Sequence, residues 1–315
     1  MAIYILSLGK SDKKNKFTPN RRSKMKKLNS LILFITIFFV KVADFNLYAQ
    51  DNNTSIFWKV MGNGLDKPSY LYGTVHLIPQ SDFFLIDSIE NKFKSCNEIV
   101  LEVDIDDPGF LTKTQQLMFM PDSENIRDLL DKNDYNKLSG FFKDSLNIQL
   151  DRFQRLKPFF LAQFIIPKLI NKPLASYEMT FAQMAKKYNI DLTGLESVEE
   201  QMNSIDKIPY KKQAELVLEN IDDFNEDRQI YPKLIEAYKK LDFENFYNLM
   251  LKASTELKEF EQPLLIDRNE KWIPRIEKMM KEKSCFIAVG ALHLEGEKGL
   301  IALLKLKGYS VNPIR

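Results

Sequence analysis

Histidine is nearly absent from this chain: 315 residues contain two, His76 and His293. Cysteine is equally rare, with Cys96 and Cys285 alone and no Cys-x-x-Cys, so no dithiol motif is present. No serine lies in a Gly-x-Ser-x-Gly setting, and there is no phosphate-cradling Gly-x-x-x-x-Gly-Lys. A Ser–His–Asp triad would in any case leave one histidine without a role. The chain also lacks a short-period repeat, a low-complexity tract and a Pro/Gly-rich linker. A basic run is missing from its body. The first fifty residues hold ten Lys/Arg against Asp12 and Asp44, leaving 35 basic and 41 acidic residues in the rest. A mildly acidic body of this kind does not neutralise phosphates, which argues against nucleic acid as a partner.

Both histidines occupy the same local setting. Gly73-Thr74-Val75-His76-Leu77 follows Tyr70-Leu71-Tyr72, and Gly290-Ala291-Leu292-His293-Leu294 follows Phe286-Ile287-Ala288-Val289. Imidazole is the side chain best suited to metal ligation and to proton transfer near neutral pH. Two near-copies of one unit, holding every histidine in the chain, predict that folding brings them to one site. The alternative is a pair of hydrogen-bonded structural histidines at strand ends.

The first fifty residues read as a targeting segment. Arg21-Arg22-Ser23-Lys24-Met25-Lys26-Lys27 is cationic, Leu31 to Val40 is apolar apart from Thr36, and Leu47-Tyr48-Ala49-Gln50 offers a cleavage neighbourhood. Met25 is the better translation start. Lys41 and Asp44 cut the apolar stretch below the roughly 20 residues a spanning helix needs. The expectation is an exported chain, periplasmic or secreted, with no stable membrane anchor once the signal is cleaved; an uncleaved anchor is the alternative. Cys96 and Cys285 each precede an apolar strand-like run. If those strands are parallel neighbours the sulfurs meet at one end of the sheet, as a disulfide or as two buried thiols.

Periodicity then divides the body, residues 51–315, into one domain with a helical insertion at about 110–260. Ser55 to Val60 and Ser69 to Tyr72 read as a hairpin around Gly62-Asn63-Gly64. Ser88 to Lys94 is helix-like and Ile99 to Val103 a strand. Phe110 to about Lys172 is helical, as is Tyr177 to Tyr188, with Phe181, Met184, Ala185 and Tyr188 at helical spacing. Asp191 to Leu195 is a short strand into Glu196, and Ser197-Val198-Glu199-Glu200 is a capping box. Helices continue to Lys283; the second histidine strand, a helix over Gly299–Lys307 and a strand at Tyr309–Val311 close the chain. The fold class is α/β (mixed α+β): a central mixed sheet with strand units at both ends and a largely helical middle.

Four polar residues lie in or just beyond the C-terminal end of a strand: His76, Glu102, Glu196 and His293. That edge is where α/β sheets bind ligands, and Gly73 and Gly290 would let the backbone turn out and approach one. Two imidazoles with one or two carboxylates suit Zn²⁺, Mn²⁺, Co²⁺ or Fe²⁺ with positions left for water. Glu102, between Leu101 and Val103, is costly to bury unpaired; otherwise it faces outward on an edge strand, with Asp104, Asp106 and Asp107 in a solvated loop. Glu196 is either functional or a favourable charge before a helix N-terminus. Arg268, Trp272, Ile276 and Met280 are spaced by four, so Arg268 heads a buried stripe and needs an anion such as Glu102, Glu196 or a substrate group. Pro274 interrupts that helix.

Tyr70 to His76, Val100 to Asp104, Gly194 to Ser197 with Glu200-Gln201, Arg268-Asn269 with Trp272, and Ala288 to Leu294 with Gly296, Gly299-Leu300 and Gly308-Tyr309 together resemble the TraB/GumN family, which includes the Tiki-type metalloproteases. The resemblance runs in order from about Ser55 to the C-terminus. It implies a mixed α/β fold related to the erythromycin-esterase/ChaN-like group. It also implies a divalent-metal-dependent peptidase (Mn, Co or Zn) acting on a peptide or protein, with His76, His293 and Glu102 at the metal. Glu178 stands where the family pattern tends to show Asp, which leaves its role open. In this reading Glu102, Arg268 and Glu196 are catalytic, Glu102 as ligand or general base, Arg268 at the developing oxyanion and Glu196 as base or support. Two alternatives are a metal-independent esterase-type hydrolase with a histidine base, and a non-enzymatic periplasmic protein that captures a peptide, haem or envelope component.

Overall fold

The computed structural model describes residues 55–243, 245–246, 248–249 and 260–314; the export signal expected over residues 1–50 lies outside them. Among the described residues the chain forms strands β1 Phe57–Gly62, β2 Ser69–Thr74, β3 Ile78–Pro79, β4 Glu98–Val103, β5 Leu174–Ala175, β6 Asp191–Glu196, β7 Cys285–Gly290 and β8 Tyr309–Ile314. The α-helices are α1 Ile89–Lys94, α2 Phe110–Leu117, α3 Ile126–Leu129, α4 Lys132–Phe141, α5 Pro158–Leu161, α6 Ile165–Ile170, α7 Tyr177–Tyr188, α8 Val198–Asp206, α9 Tyr210–Asp222, α10 Phe224–Lys239, α11 Asp267–Glu282 and α12 Leu300–Leu306. None of the described helices is long and apolar enough to cross a membrane.

Six strands form one sheet in the order β6-β4-β7-β2-β1-β8. The first four run parallel, while β1 is antiparallel to both β2 and β8. The mixed sheet and helical middle are those expected from the periodicity. The hairpin turns through Gly62, Asn63 and Gly64, all at positive φ (84°, 48° and 82°), where two glycines and an asparagine are the residues that fit.

The inner parallel strands β2, β4 and β7 are buried on both faces, so each reads as a largely apolar run, whereas the edge strand β6 is buried only at Leu195 and Glu196. Along β7, Phe286 and Ala288 face one core with Tyr70, Tyr72, Ile99, Leu101 and Phe181. Cys285, Ile287 and Val289 face the other, with Leu71, Val100, Trp272, Ile276, Leu300 and Leu304. The same alternation decides the cysteines. β4 and β7 are parallel neighbours, as the disulfide expectation required. Cys96 nevertheless belongs to the first core and Cys285 to the second, and both are free thiols. Cys285 starts β7 with its side chain on one face of the sheet, while Cys96, two residues before β4, packs into the core on the other, so proximity at the sheet's end does not pair the sulfurs.

Two helical features carry the site. α11 continues through Pro274, against the interruption anticipated at that residue, because Pro274 lies on the exposed side together with Glu270, whose carbonyl the missing N–H would have met. Arg268, Trp272, Ile276 and Met280 are all buried along its inner face. The expected capping box is formed at Ser197 and Glu200 and starts α8 directly behind Glu196.

Candidate functional site

The parallel strands deliver their C-terminal ends to one edge. In the β2–β7 register Thr74 faces Gly290, so His76 and His293 leave neighbouring strands within a few residues of each other. Glu102 ends β4 on the far side of β7, and Glu196, one strand further, ends β6 with Val103 as its partner. The two histidine motifs touch through Gly73. A Cβ on that residue would lie 2.9 Å from Leu294 Cδ1 and 3.0 Å from Ala291 Cα. Gly73 therefore admits the second motif, a different role from the ligand approach anticipated for it.

Four of the five sequence-derived site residues are in direct contact. Arg268 Nη2 donates to Glu102 Oε2 and to Glu196 Oε1, both at 2.6 Å. Its Nε donates to Glu196 Oε1 at 3.0 Å and Oε2 at 3.3 Å. Arg268 Nη1 donates to Leu264 O (3.0 Å), in the π turn Gln262–Ile266 that leads into α11, and to His293 Nε2 (3.2 Å). Trp272 Nε1 also donates to Glu196 Oε2 (3.2 Å), and Gly290 N donates to Glu102 Oε1 (2.8 Å). Gln201 Nε2 spans the two carboxylates at 3.3 and 3.4 Å. Glu102 thus points inward and is buried, not outward on an edge; Asp104 serves the loop after it, accepting from Asp106 N and Asp107 N.

Two carboxylates sharing one guanidinium respond differently. Burial works to raise the Glu102 pKa, but Arg268, supported by His76 and the Gly290 N–H, overturns it and holds Glu102 far below the ordinary carboxylate range. For Glu196 burial wins over Arg268, and the neighbouring Glu102 charge adds to the upward shift. Glu102 is the committed anion of the pair.

His293 is fully buried against the Trp272 ring, centroids 4.4 Å apart. Its tautomer follows from its partners. Arg268 can only donate, so Nε2 is the acceptor; Nδ1 therefore carries the proton and donates to Asn269 Oδ1 at 2.7 Å. The Asn269 amide is fixed in turn, because its Nδ2 donates to His293 O (3.3 Å) and Lys298 O (2.9 Å). Burial, with Arg268 alongside, pushes the His293 pKa down to about 3 despite Glu102. The ring is neutral throughout the physiological range.

His76 stands apart from this cluster and pairs with Glu178. Its Nδ1 donates to Glu178 Oε1 at 3.1 Å, and Glu178 also accepts from Thr74 Oγ1 (2.6 Å) and Ser176 Oγ (2.9 Å). About a third of the His76 side chain is exposed. Burial works against its charged form, yet the Glu178 carboxylate outweighs it and raises the His76 pKa, with Glu102 contributing. The small ribbon β3–β5 makes this pair: Ile78 faces Ala175, which sets the start of α7 beside the end of β2. Glu178, whose role the sequence left open, and Asn269 are the site residues that sequence reasoning did not assign. The available signal was adjacency, Asn269 to Arg268 on one helix and Glu178 to the Ser176 N-cap. Among the described residues no group of three or more His, Cys, Asp or Glu side chains is disposed to hold a metal ion. Arg268 donates to both Glu102 and His293, whose Oε1 and Nε2 lie 3.8 Å apart.

With this geometry in place, comparison with known proteins is informative. The chain matches the model of the TraB/PrgY/gumN family over residues 56–313. It is similar to metalloprotease TIKI2 of Xenopus tropicalis, 22% identical over 84% of this chain and 60% of the relative. It is also similar to metalloprotease TIKI1 of Danio rerio, 21% identical over 83% and 63%, and to metalloprotease TIKI1 of Homo sapiens, 21% identical over 83% and 62%. The chain thus spans about three fifths of the length of these relatives. No solved structure matches it.

Proposed function

The chain belongs to the TraB/PrgY/gumN family, and from that premise we propose that it is an exported, divalent-metal-dependent hydrolase of peptide bonds. The observation that carries this reading is the outer bonding of the two imidazoles. Each has Nδ1 tied to a side-chain oxygen, Glu178 for His76 and Asn269 for His293, and each keeps Nε2 as the basic nitrogen. Metal-binding histidines are oriented in this way. The donors fit a borderline divalent ion in kind: two neutral-capable imidazoles and the ionised Glu102, whose other oxygen is held by Gly290 N–H. His76, His293 and Glu102 would hold the ion, once Arg268 releases His293 Nε2. The chemistry such an ion supplies is polarisation of a carbonyl and activation of water.

The remaining residues position charge and protons. Glu196 is occupied by Arg268 and Trp272, which makes it the anchor of the guanidinium and a poor general base. Arg268, held there in a buried setting, is the donor suited to a developing oxyanion. Glu178 fixes the ring of His76 and keeps Nδ1 protonated, while Asn269 does the same for His293. The test is a peptide-library cleavage assay with Mn²⁺, Co²⁺ or Zn²⁺, before and after chelation. Cleavage that disappears with chelator and returns with one ion is the expected result. No cleavage under any ion removes the proposal.

A second reading has its own support. Arg268 already satisfies both Glu102 and His293 Nε2, and His76 with Glu178 forms an imidazole–carboxylate pair that is partly open to solvent. A metal-independent hydrolase using His76 as general base fits those contacts. Hydrolysis that survives exhaustive chelation selects it over the first.

A further inference from the structure

We propose that Arg268 is an internal competitor of the divalent ion: its guanidinium serves as the stand-in cation at Glu102 and His293, and the ion binds by exchanging with it there. This inference rests on the metal-dependent reading above. The contacts of Arg268 fall into two sets. One set is an anchor: Glu196 through Nε and Nη2, Leu264 O through Nη1, and the Trp272 ring 4.7 Å below the guanidinium carbon. The other set is made to two of the three groups assigned to the ion, Glu102 Oε2 at 2.6 Å and His293 Nε2 at 3.2 Å.

The division matters because a guanidinium presents its donors in a fixed planar fork and stays protonated at every relevant pH. It can surrender the inner set without leaving Glu196, so an exchange need not strip the arginine of its counter-ion. Without an ion, the same fork keeps the buried Glu102 and Glu196 carboxylates from facing each other unpaired, an arrangement strongly unfavourable in a buried site. Arg268 thereby keeps the site folded and satisfied in the ion-free protein, and ion affinity is set by how readily the inner contacts are given up.

Lysine at this position separates exchange from simple repulsion. Its ammonium keeps the positive charge but makes point contacts, so it cannot span Glu196, Glu102 and His293 together. Mn²⁺ binding to the purified full chain is measured by calorimetry, with free Mn²⁺ followed by electron paramagnetic resonance. Arg268→Lys is expected to bind Mn²⁺ about tenfold more tightly than the unaltered chain, since two charge-assisted contacts no longer compete. Arg268→Met is expected to bind more tightly still. Should the Met variant fail to fold, the Lys variant carries the test alone. Equal or weaker Mn²⁺ affinity in Arg268→Lys overturns the competitor role and leaves the metal-dependent reading standing. Absence of binding by the unaltered chain and by both variants, repeated with Co²⁺ and Zn²⁺, overturns that reading as well.

Discussion

At the scale of single residues, two histidines with opposite environments make the chain its own pH probe. His293 is buried, neutral and beside a guanidinium; His76 is partly open and beside a carboxylate. Imidazole resonances followed by NMR should show one ring titrating above the ordinary 6.5 and the other unchanged until pH falls towards about 3. Glu178→Gln removes the charge that outweighs burial at His76, so the upper titration should move below 6.5; an unmoved midpoint would show that Glu178 does not set it. The pair also ties stability to pH. His76 holds its proton more tightly folded than unfolded, so its contribution is complete below 6.5 and is lost as pH rises through the raised folded value. Glu178 has a lowered folded pKa, so its contribution exists above 4.5 and is lost as pH falls through that lowered value. Unfolding free energy of Glu178→Gln should therefore lose this alkaline-side decline, whereas the parent chain retains it. Asn269→Leu leaves His293 Nδ1–H without its acceptor. The expected cost is about 1–3 kcal/mol in stability and on the order of ten- to a hundredfold in hydrolysis or ion affinity. Wild-type values in both measurements would show that the tautomer is held by Arg268 alone.

At the scale of elements, the site depends on how closely two motifs approach across the β2–β7 pair. Gly73→Ala would place a methyl 2.9 Å from Leu294 Cδ1 and 3.0 Å from Ala291 Cα, closer than carbon contacts allow. Overpacking of this kind costs about 1–3 kcal/mol, and here the strain falls on the loop that carries His293. The expected variant is folded, less stable by that amount in urea, and impaired in function beyond its loss of stability. A variant with parent stability and function would mean that the loop repacks freely. Elements of this kind were legible from the chain wherever a buried parallel strand ends in a polar residue: His76, Glu102, Glu196 and His293 stand out because each breaks an apolar run at a strand end. The register of Arg268 with Trp272 was legible for the same reason, through a spacing of four on one helix face. Glu178 was not. It reaches His76 across 102 residues through a ribbon of two strands with two residues each, too short to leave a pattern. Asn269 was hidden because its role depends on the carbonyls of His293 and Lys298, which no side-chain pattern encodes. Pro274 misled in the other direction, since its lost donor faces solvent.

At the scale of the whole molecule, one sheet separates two cores, and the two cysteines report on each of them. Cys96 is buried among the aromatic residues of one layer and Cys285 beneath α11 and α12 in the other. Burial raises the Cys96 pKa to about 11 and the Cys285 pKa to about 12, so almost no thiolate exists near neutral pH, and thiolate is the species that attacks disulfides. The sulfurs are free and packed into different cores, so an oxidising compartment is not expected to link them while the fold is intact. Labelling with an aromatic disulfide reagent should therefore be negligible in native conditions and should give two equivalents once the chain is unfolded in denaturant. Because the layers share every parallel strand, loss of one core exposes the other. The two thiols should then become reactive together, at a denaturant concentration that matches the loss of tertiary signal. Separate thiol transitions would show that the layers unfold independently, and no reactive thiol in the denatured chain would show that the sulfurs are bonded after all.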